Sequence, residues 1–307
     1  MQAVEIAEGI YWVGALDWNA REFHGFATLR GTSYNAYLIL DERNVLIDGV
    51  KTPFLGEMMA RVRSVIDPKE IDLIVSNHAE GDHASGLPMI QHLTGAEILA
   101  SKKGVEALRS NYGEMRMREV KDGEELSIGK RTLRFIETPM VHWPESMFTY
   151  AKEDRILFSM DAFGQHYCSS QRFDDQVDLG VVMEEAATYY ANIVMPFGNQ
   201  FKKAYEKVKD LPINMLATSH GFIWRTHIKE IVEAYLGWAD GSAEERVLII
   251  YDTMWGSTER MAEAIAEGVS SQDVPVVLMR LTDTDRSMVM REVLRSKVLV
   301  VGSCTMN

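Results

Sequence analysis

The sequence predicts a mixed α/β protein with two domains, and three observations support this fold class. Short apolar strands alternate with segments of helical periodicity through most of the chain. A small, polar segment at Asp240–Arg246 then interrupts the pattern, as linkers do. After it, strands and helices alternate strictly, which is typical of a parallel, doubly wound sheet. Because a length of 307 residues suits two domains, we expect one domain over 1–243 and a second over 244–307.

The first domain is expected to begin with short strands bounded by Gly, Asp and Asn. The segments Gly9–Gly14, Tyr34–Leu40 and Asn44–Asp48 are rich in β-branched and aromatic residues. A helix is expected over Phe54–Ile66, ending at the Asp-Pro pair that follows it. The buried strand Ile71–Ser76 then leads directly to a histidine-rich segment.

Strands and helices continue to alternate along the rest of the chain. The further strands expected in the first domain are Glu97–Ala100, Thr132–Thr138, Arg155–Ser159 and Met215–Thr218. The further helices expected there are Lys103–Tyr112, Val181–Met195, Phe201–Leu211 and Thr226–Ala239. The second domain is expected to be a βαβαβ unit made of Val247–Tyr251, Glu259–Val269, Val274–Met279, Met288–Leu294 and Val298–Val301.

Composition narrows the possible functions. The chain has 32 basic and 45 acidic residues, and its net charge of −13 disfavours binding to nucleic-acid phosphates. No stretch approaches the roughly 18 uninterrupted apolar residues of a membrane span, and the acidic N-terminus is unlike a signal peptide. Only two cysteines occur, which excludes a disulfide scaffold and cysteine-ligated zinc or iron–sulfur sites. These features predict a cytoplasmic protein that binds neither nucleic acid nor membranes.

Four potential metal ligands lie within one short segment directly after a predicted strand. The segment His78-Ala-Glu-Gly-Asp-His83 contains His78, Glu80, Asp82 and His83, a density that is hard to explain as a solvated turn. Three further candidates follow other predicted strands, namely His142, Asp161 and His220. Because loops at strand ends present functional side chains from a rigid scaffold, the shared position of all these residues predicts one metal site.

This constellation resembles that of the metallo-β-lactamase fold, an αββα sandwich, in its flavodiiron form. The zinc hydrolases of that fold usually have histidine where this chain has Glu80. Carboxylates are hard oxygen ligands that suit iron, and three of them offset most of the charge of a diferrous pair. The resemblance implies one iron held by His78, Glu80 and His142, another held by Asp82, His83 and His220, and Asp161 as the bridge. In some relatives the residue matching His83 swings away from the metal.

Several other segments within residues 1–243 resemble the flavodiiron pattern. The segment Arg21–Gly25 contains His24, and the family places the matching histidine over the iron pocket. The segments Gly31–Tyr37 and His142–Met147 match as well. In the segment Tyr189–Pro196, the resemblance implies that Tyr190 donates a hydrogen bond near the metals. The alternative is that both tyrosines of this segment only pack.

A phosphate-binding loop is predicted after the first strand of the second domain. Thr253-Met-Trp-Gly-Ser-Thr258 brings hydroxyl groups and a glycine to a helix N-terminus, where free N–H groups and the helix dipole attract phosphate. An ordinary helix cap is the alternative. The loop resembles that of flavodoxins, which implies FMN, and Gly302–Asn307 resembles their second flavin loop. The residues implied to bind FMN are Thr253, Met254, Trp255, Gly256, Ser257, Thr258, Ser303, Thr305 and Asn307.

The flavin-binding domain is expected to be incomplete. Its residues supply three of the five strands of a flavodoxin-like sheet and no third flavin loop, so we expect the chain to be part of a longer protein. The strand order 2-1-3-4-5 leaves one edge of Lys297–Val301 uncovered. We therefore expect this chain to bind FMN poorly, whereas the first domain should fold and take up iron by itself.

The flavodiiron resemblance implies an oxidoreductase that reduces dioxygen to water, or nitric oxide to nitrous oxide, with electrons delivered through FMN. It also implies rubredoxin or reduced deazaflavin as the electron donor. Relatives form head-to-tail homodimers, so a homodimer or a dimer of dimers is expected. Two alternatives stay open: a dinuclear metal hydrolase of the same fold, such as a thioesterase, and a non-enzymatic flavin- or metal-binding module.

Overall fold

The computed structural model describes residues 1–23 and 25–305. The strands of its N-terminal part are β1 (Val4–Ala7), β2 (Ile10–Trp12), β3 (Ala15–Asp17), β4 (Glu22–Phe23), β5 (Phe26–Ala27), β6 (Thr32–Tyr34), β7 (Tyr37–Ile39), β8 (Asn44–Ile47), β9 (Ile71–Val75), β10 (Glu97–Ser101) and β11 (Met117–Val120). One sheet has the order β1-β2-β7-β8-β9-β10-β11. Strands β3 and β6 form a small ribbon, and β4 and β5 form another.

A second sheet follows along the chain. Its strands are β12 (Glu125–Ser127), β13 (Thr132–Glu137), β14 (Met147–Ala151), β15 (Ile156–Met160) and β16 (Met215–Thr218), in this spatial order. Strands β12 to β15 pair antiparallel, whereas β15 and β16 pair parallel with a register shift between Phe158 and Met160. Met160 has a left-handed φ of 53°, which is uncommon for a residue with a side chain.

Helices cover the outer faces of the two sheets. They are α1 (Leu55–Val62), α2 (Gly81–Ala84), α3 (Leu87–Thr94), α4 (Lys102–Tyr112), α5 (Leu179–Tyr189), α6 (Gly198–Val208) and α7 (Ile228–Ala239). Buried side chains of α1, α3 and α4 pack on the first sheet, and those of α5, α6 and α7 pack on the second. A π turn at Tyr190–Val194 follows α5 directly.

The main core lies between the two sheets. Trp12, Val75 and Leu99 of the first sheet meet Phe135 and Phe158 of the second, and none of these side chains is more than 2% exposed. Their alternation along the strands places one apolar face of each sheet against the other. The predicted αββα sandwich is thereby confirmed.

The C-terminal part forms a separate parallel sheet. Its elements are β17 (Glu244–Tyr251), α8 (Ser257–Ser270), β18 (Val276–Arg280), α9 (Arg286–Arg295) and β19 (Ser296–Gly302). The strand order is β18-β17-β19, with α8 packed on one face and α9 on the other. This arrangement confirms the predicted doubly wound unit. The predicted domain boundary falls between the end of α7 at Ala239 and the start of β17 at Glu244.

Helix α9 also contacts the first domain, where it packs against α5, the π turn and β5. The second domain therefore lies next to β5 and the π turn of the first domain. Within residues 1–23 and 25–305, no helix is long and apolar enough to cross a membrane.

Several elements differ from their sequence-based predictions. Strands β11, β12 and β14 were not predicted, and α6 lies over Gly198–Val208 rather than Phe201–Leu211. Three other differences concern one strand and two helices. The strand expected over Tyr34–Leu40 is split into β6 and β7, because the backbone N–H of Asn35 donates to the Ser219 carbonyl at 2.7 Å instead of to a neighbouring strand. The side chain of Asn35 is held as well. Its Nδ2 donates to the carbonyls of Thr218 and Gly221, and its Oδ1 accepts from the Trp12 indole. Helix α1 ends at Val62, whereas the prediction extended it to Ile66. The helix expected over Val181–Met195 ends as α5 at Tyr189 and continues as the π turn.

Candidate metal centre

The seven predicted ligands lie in segments that follow the strand ends at one edge of the sandwich. His78 follows β9, and α2 contributes Asp82 and His83 just after Glu80. The remaining three follow β13, β15 and β16 respectively, and they are His142, Asp161 and His220. Their metal-binding atoms form two adjacent groups, one with His78, Glu80, His142 and Asp161, the other with Asp82, His83 and His220. The structure thus brings together the residues that the sequence predicted as one site.

The first group surrounds a carboxylate of Glu80. Its Oε2 lies 3.0 Å from Nε2 of His78 and 3.3 Å from Nε2 of His142. Both imidazole nitrogens also approach Oδ2 of Asp161, at 3.5 and 3.2 Å. Two imidazole nitrogens and two carboxylate oxygens therefore converge on one point.

The second group is built in the same way around Asp82. Its Oδ2 lies 3.0 Å from Nε2 of His83 and 3.1 Å from Nε2 of His220. These nitrogens lie 3.2 and 3.5 Å from Oδ1 of Asp161. Asp161 thus directs one oxygen to each group, which is the geometry of a carboxylate between two cations.

The donor atoms of the cluster are better suited to binding metal ions than to forming hydrogen bonds with one another. Although several of these atoms lie within 3.5 Å of one another, both carboxylate oxygens of Asp82, both ring nitrogens of His83 and Oδ1 of Asp161 are buried and make no hydrogen bond of acceptable geometry in the described part of the chain. Buried polar atoms rarely lack partners in folded proteins. Imidazole and carboxylate donors are those that iron prefers. The cluster therefore has the donor atoms of a dinuclear metal site, and several of these atoms have no hydrogen bond that would compete with a metal ion.

The electrostatics of the cluster also favour cations. Burial opposes protonation of His83, but Asp82 and Asp161 outweigh it and raise the pKa of His83 well above its ordinary value. Burial likewise opposes protonation of His142, yet Asp161 and Glu80 raise its pKa to about 9. Although burial alone would raise the pKa of Asp161, His83 and His142 hold it well below its usual range. Metal ions that bind here would displace protons from the imidazoles.

Glu145, which sequence reasoning did not select, holds His78 from outside the cluster. Nδ1–H of His78 donates to Oε1 of Glu145 at 2.8 Å, and the Ala79 N–H donates to the same oxygen at 3.1 Å. Burial opposes protonation of His78, but Glu145 and Glu80 raise its pKa to about 10. With Nδ1 used in this way, Nε2 is the atom that faces the metal site.

Two further contacts orient the ligands. Nδ1–H of His220 donates to the Ser33 carbonyl at 2.7 Å, which also leaves Nε2 for the site. The buried carboxylate of Asp48 accepts from the backbone N–H and the side-chain amide of Asn77, at 2.7 and 2.9 Å. Asn77 directly precedes His78, so the end of β8 braces the loop that carries the first ligands.

A cavity of about 250 Å³ opens onto the cluster. Besides metal-type side chains, its wall contains Phe23, Phe26, Trp143, Tyr189, Asn192 and Ile193. This volume suits a diatomic molecule and a few waters rather than a large organic substrate. Aromatic side chains form a large part of this wall.

The structure corrects the choice between the two adjacent tyrosines. Tyr189 lines the cavity, and its ring centroid lies 6.0 Å from that of His220. Tyr190, which was predicted to act near the metals, packs instead against Tyr235 and Trp238 with ring centroids 4.9 and 5.2 Å away. Because adjacent helical side chains point about 100° apart, only one of the pair faces the cavity.

One further histidine lies beside the cluster in the described part of the chain, and another predicted there is not described. The predicted pocket residue His24 lies outside the described residues. His166, to which sequence reasoning assigned no role, lies beside the cluster, with its ring centroid 5.0 Å from that of His220 and its Nδ1 2.9 Å from Thr32 Oγ1. The only sequence signal for His166 is its position in the segment after Asp161.

The two predicted flavin loops adjoin each other at the ends of β17 and β19. Gly256 has a left-handed φ of 79°, and its N–H donates to Thr253 Oγ1 at 3.0 Å just before α8 begins. The Asp252 N–H donates to the Gly302 carbonyl at 3.1 Å, which links the loops. Of the other predicted flavin residues, Met254, Trp255, Ser303 and Thr305 are exposed, Ser257 and Thr258 lie at the start of α8, and Asn307 is outside the described residues.

Comparison with known proteins identifies the relatives of this chain. It is 47% identical to a nitric oxide reductase of Moorella thermoacetica, with all of this chain and 78% of that protein covered. It matches the structure of the flavodiiron protein from Giardia intestinalis with a TM-score of 0.97 and 40% identity, over 100% of this chain and 76% of that one. Rubredoxin oxygen:oxidoreductase from Desulfovibrio gigas gives a TM-score of 0.97 and 39% identity, over 100% and 78% of the two chains.

The two family matches correspond to the N-terminal sandwich and to the C-terminal parallel sheet. Residues 32–221 match the ODP family beta lactamase, and residues 249–307 match the flavodoxin family. The fold and the cluster therefore define a β-lactamase-like metalloprotein joined to a flavodoxin domain. The chain belongs to the flavodiiron proteins, and its cofactors are a diiron centre and FMN. It is an oxidoreductase, and the alternative of a thioesterase-like hydrolase is not favoured.

Proposed function

We propose that this chain reduces dioxygen, nitric oxide or both at two iron ions held by the seven-residue cluster. The observation that carries the proposal is the position of Asp161, whose two oxygens face two separate groups of ligands. We assign His78, Glu80 and His142 to one iron, Asp82, His83 and His220 to the other, and Asp161 to both. We also propose that residues 1–243 form the iron domain and that 244–307 belong to the FMN domain.

When bound, the iron pair and FMN supply the electrons and the cationic contacts that a bound diatomic molecule requires. The chain itself orients the ligands and shapes the cavity. Glu145 and the Ser33 carbonyl fix which nitrogen of His78 and His220 faces the metals. Phe23, Phe26 and Trp143 form an apolar wall that restricts water.

Tyr189 supplies a protonated phenol to the wall of this cavity. Burial raises the pKa of Tyr189 well above its ordinary value, and the nearby Asp161 carboxylate adds to the shift. The phenol therefore keeps its proton at neutral pH and remains a hydrogen-bond donor rather than an anion. This is the role that the sequence had placed on its neighbour Tyr190.

We propose a rubredoxin-type protein as electron donor, since the Desulfovibrio gigas relative is named as a rubredoxin oxidoreductase; reduced deazaflavin is the second candidate.

We further propose a head-to-tail homodimer. Met254 and Trp255, within the phosphate-binding loop, are 55% and 88% exposed, and such an apolar surface suits coverage by another chain. Both cysteines are free thiols, which agrees with a reducing compartment and supports the cytoplasm as its location.

Stopped-flow mixing of the iron-loaded, prereduced chain with each gas tests the proposal. We expect rapid oxidation of the iron by dioxygen, nitric oxide or both. Asp161→Asn should abolish that phase, whereas Glu114→Gln, on an exposed side chain, should not change it. Failure to react with either gas, or full zinc occupancy together with thioester hydrolysis, would contradict the proposal.

A further inference from the structure

Ser287 of the second domain lies buried next to the cavity of the first. It is the second residue of α9, and it is only 2% exposed. Its N–H donates to the Asp285 carboxylate at 2.8 Å, which caps the helix. Helix α9 contacts β5 on one side and the π turn on the other, and both of these segments contribute to the cavity wall.

Ser287 contacts both of these walls with different atoms. The Ala27 N–H donates to Ser287 Oγ at 2.8 Å, and Ala27 directly follows the cavity residue Phe26. Nδ2 of the cavity residue Asn192 donates to the Ser287 carbonyl at 3.1 Å and also to the Thr188 carbonyl at 2.8 Å. One residue of the flavin-binding domain thus joins the two sides of the cavity.

Helix α9 is itself attached to both domains. Nη1 of Arg291 lies 2.5 Å from Oε1 of Glu184 on α5, and the Arg291 side chain is only 10% exposed. On the next residue, Glu292 is paired with Arg246 of β17, the central strand of the flavin-binding sheet. A shift of that sheet would therefore be transmitted to α9, and a shift of α9 would be transmitted to the cavity.

We infer that Ser287 is a positioning residue that sets the separation of two segments of the cavity wall. Through its hydroxyl and its carbonyl, α9 holds Phe26 and Asn192 at the separation that admits a small ligand. The metal-access part of this inference rests on the proposed function, whereas the link between Ser287 and the wall does not. The flavin-binding domain therefore has a structural role at the iron site in addition to delivering electrons.

Hydrogen exchange at the Ala27 amide tests the link without any metal. Ser287→Ala removes the acceptor hydroxyl, and we expect exchange at Ala27 to accelerate about three- to tenfold, as the loss of one hydrogen bond allows. Ser270→Ala, on the exposed end of α8, is the matched control and should leave that rate unchanged. Unchanged exchange at the Ile249 amide within β17 shows that the variant is folded. An unaltered Ala27 rate in Ser287→Ala would overturn the inference.

Azide binding to the iron-loaded chain tests the effect on access. We expect the association rate constant of azide to differ at least about threefold between Ser287→Ala and the parent, with the iron content and the Ser270→Ala control unchanged. Faster Ala27 exchange with an unchanged azide rate constant would overturn the effect of Ser287 on access to the cavity. A chain that binds no iron would instead contradict the proposed function and would leave the exchange result as the test of the link.

Discussion

Replacing Glu145 by alanine tests how the metal ligands are held in position. Glu145 is 5% exposed and accepts hydrogen bonds from His78 Nδ1–H and from the Ala79 N–H. The substitution leaves both donors buried without this acceptor. It also frees the His78 ring to rotate, so that Nε2 is no longer fixed toward Glu80 and Asp161.

Two magnitudes follow from these contacts. Loss of the outer partner of a metal-binding histidine lowers metal affinity about 10- to 100-fold. Each hydrogen bond to a charged group contributes about 1.5–3 kcal/mol, and two are lost, so we expect the free energy of unfolding of the metal-free chain to fall by about 3–6 kcal/mol. Glu145→Gln keeps an acceptor oxygen but loses the charge, and it should lower iron affinity less than Glu145→Ala does.

Competition with a chelator of known affinity measures the iron affinity of each variant. Glu114→Ala is the control, because the Glu114 side chain is 78% exposed and pairs only with the exposed Arg109 in the described structure. We expect its iron affinity to equal that of the parent. Iron affinity within about twofold of the parent in Glu145→Ala would refute the reasoning, since the outer-partner effect predicts at least tenfold.

Three further predictions concern single side chains. Asp161→Asn should reduce bound iron to about one per chain or less, because a neutral amide bridges cations poorly; metal analysis that still finds two irons at parental affinity would contradict the bridge. Glu80→His should raise the zinc-to-iron ratio in cells supplied with both metals, and an unchanged ratio would place metal selectivity outside this ligand. Burial raises the pKa of Cys168 to about 12, so at pH 8 a thiol reagent should label only Cys304 in the native chain and both cysteines in denaturant. Rapid labelling of both in the native chain would show that Cys168 is accessible.

The seven candidate ligands were predictable because each has a local signal. Metal-type residues directly after predicted strands meet at one edge of a sheet, as Asp161 and His220 do after β15 and β16. Glu145 gave no such signal, since its partner His78 lies 67 residues away and the contact depends on the loop between β13 and β14. Ser287 was missed for the same reason, because its partners belong to the other domain.

The fold shows the same division between local and distant causes. The parallel strands β17, β18 and β19 follow from strict alternation, and they were predicted with small differences at their ends. The division of Tyr34–Leu40 into two strands was not predictable, because it depends on the hydrogen bond from the Asn35 backbone N–H to the carbonyl of the distant Ser219. The choice of Tyr189 over Tyr190 depends on distant packing, since Tyr190 meets Tyr235 and Trp238 of α7.

The irregular end of β15 constrains how this site can change in evolution or in design. Side chains on a strand alternate between its two faces, so an insertion or deletion of one residue reverses the face of every side chain beyond it. The unpaired step at Ser159 and the left-handed Met160 lie immediately before Asp161. Any graft of this metal centre onto another sandwich must therefore carry the irregular backbone together with the ligand. A regular strand of the same sequence would present the aspartate to the wrong side of the sheet.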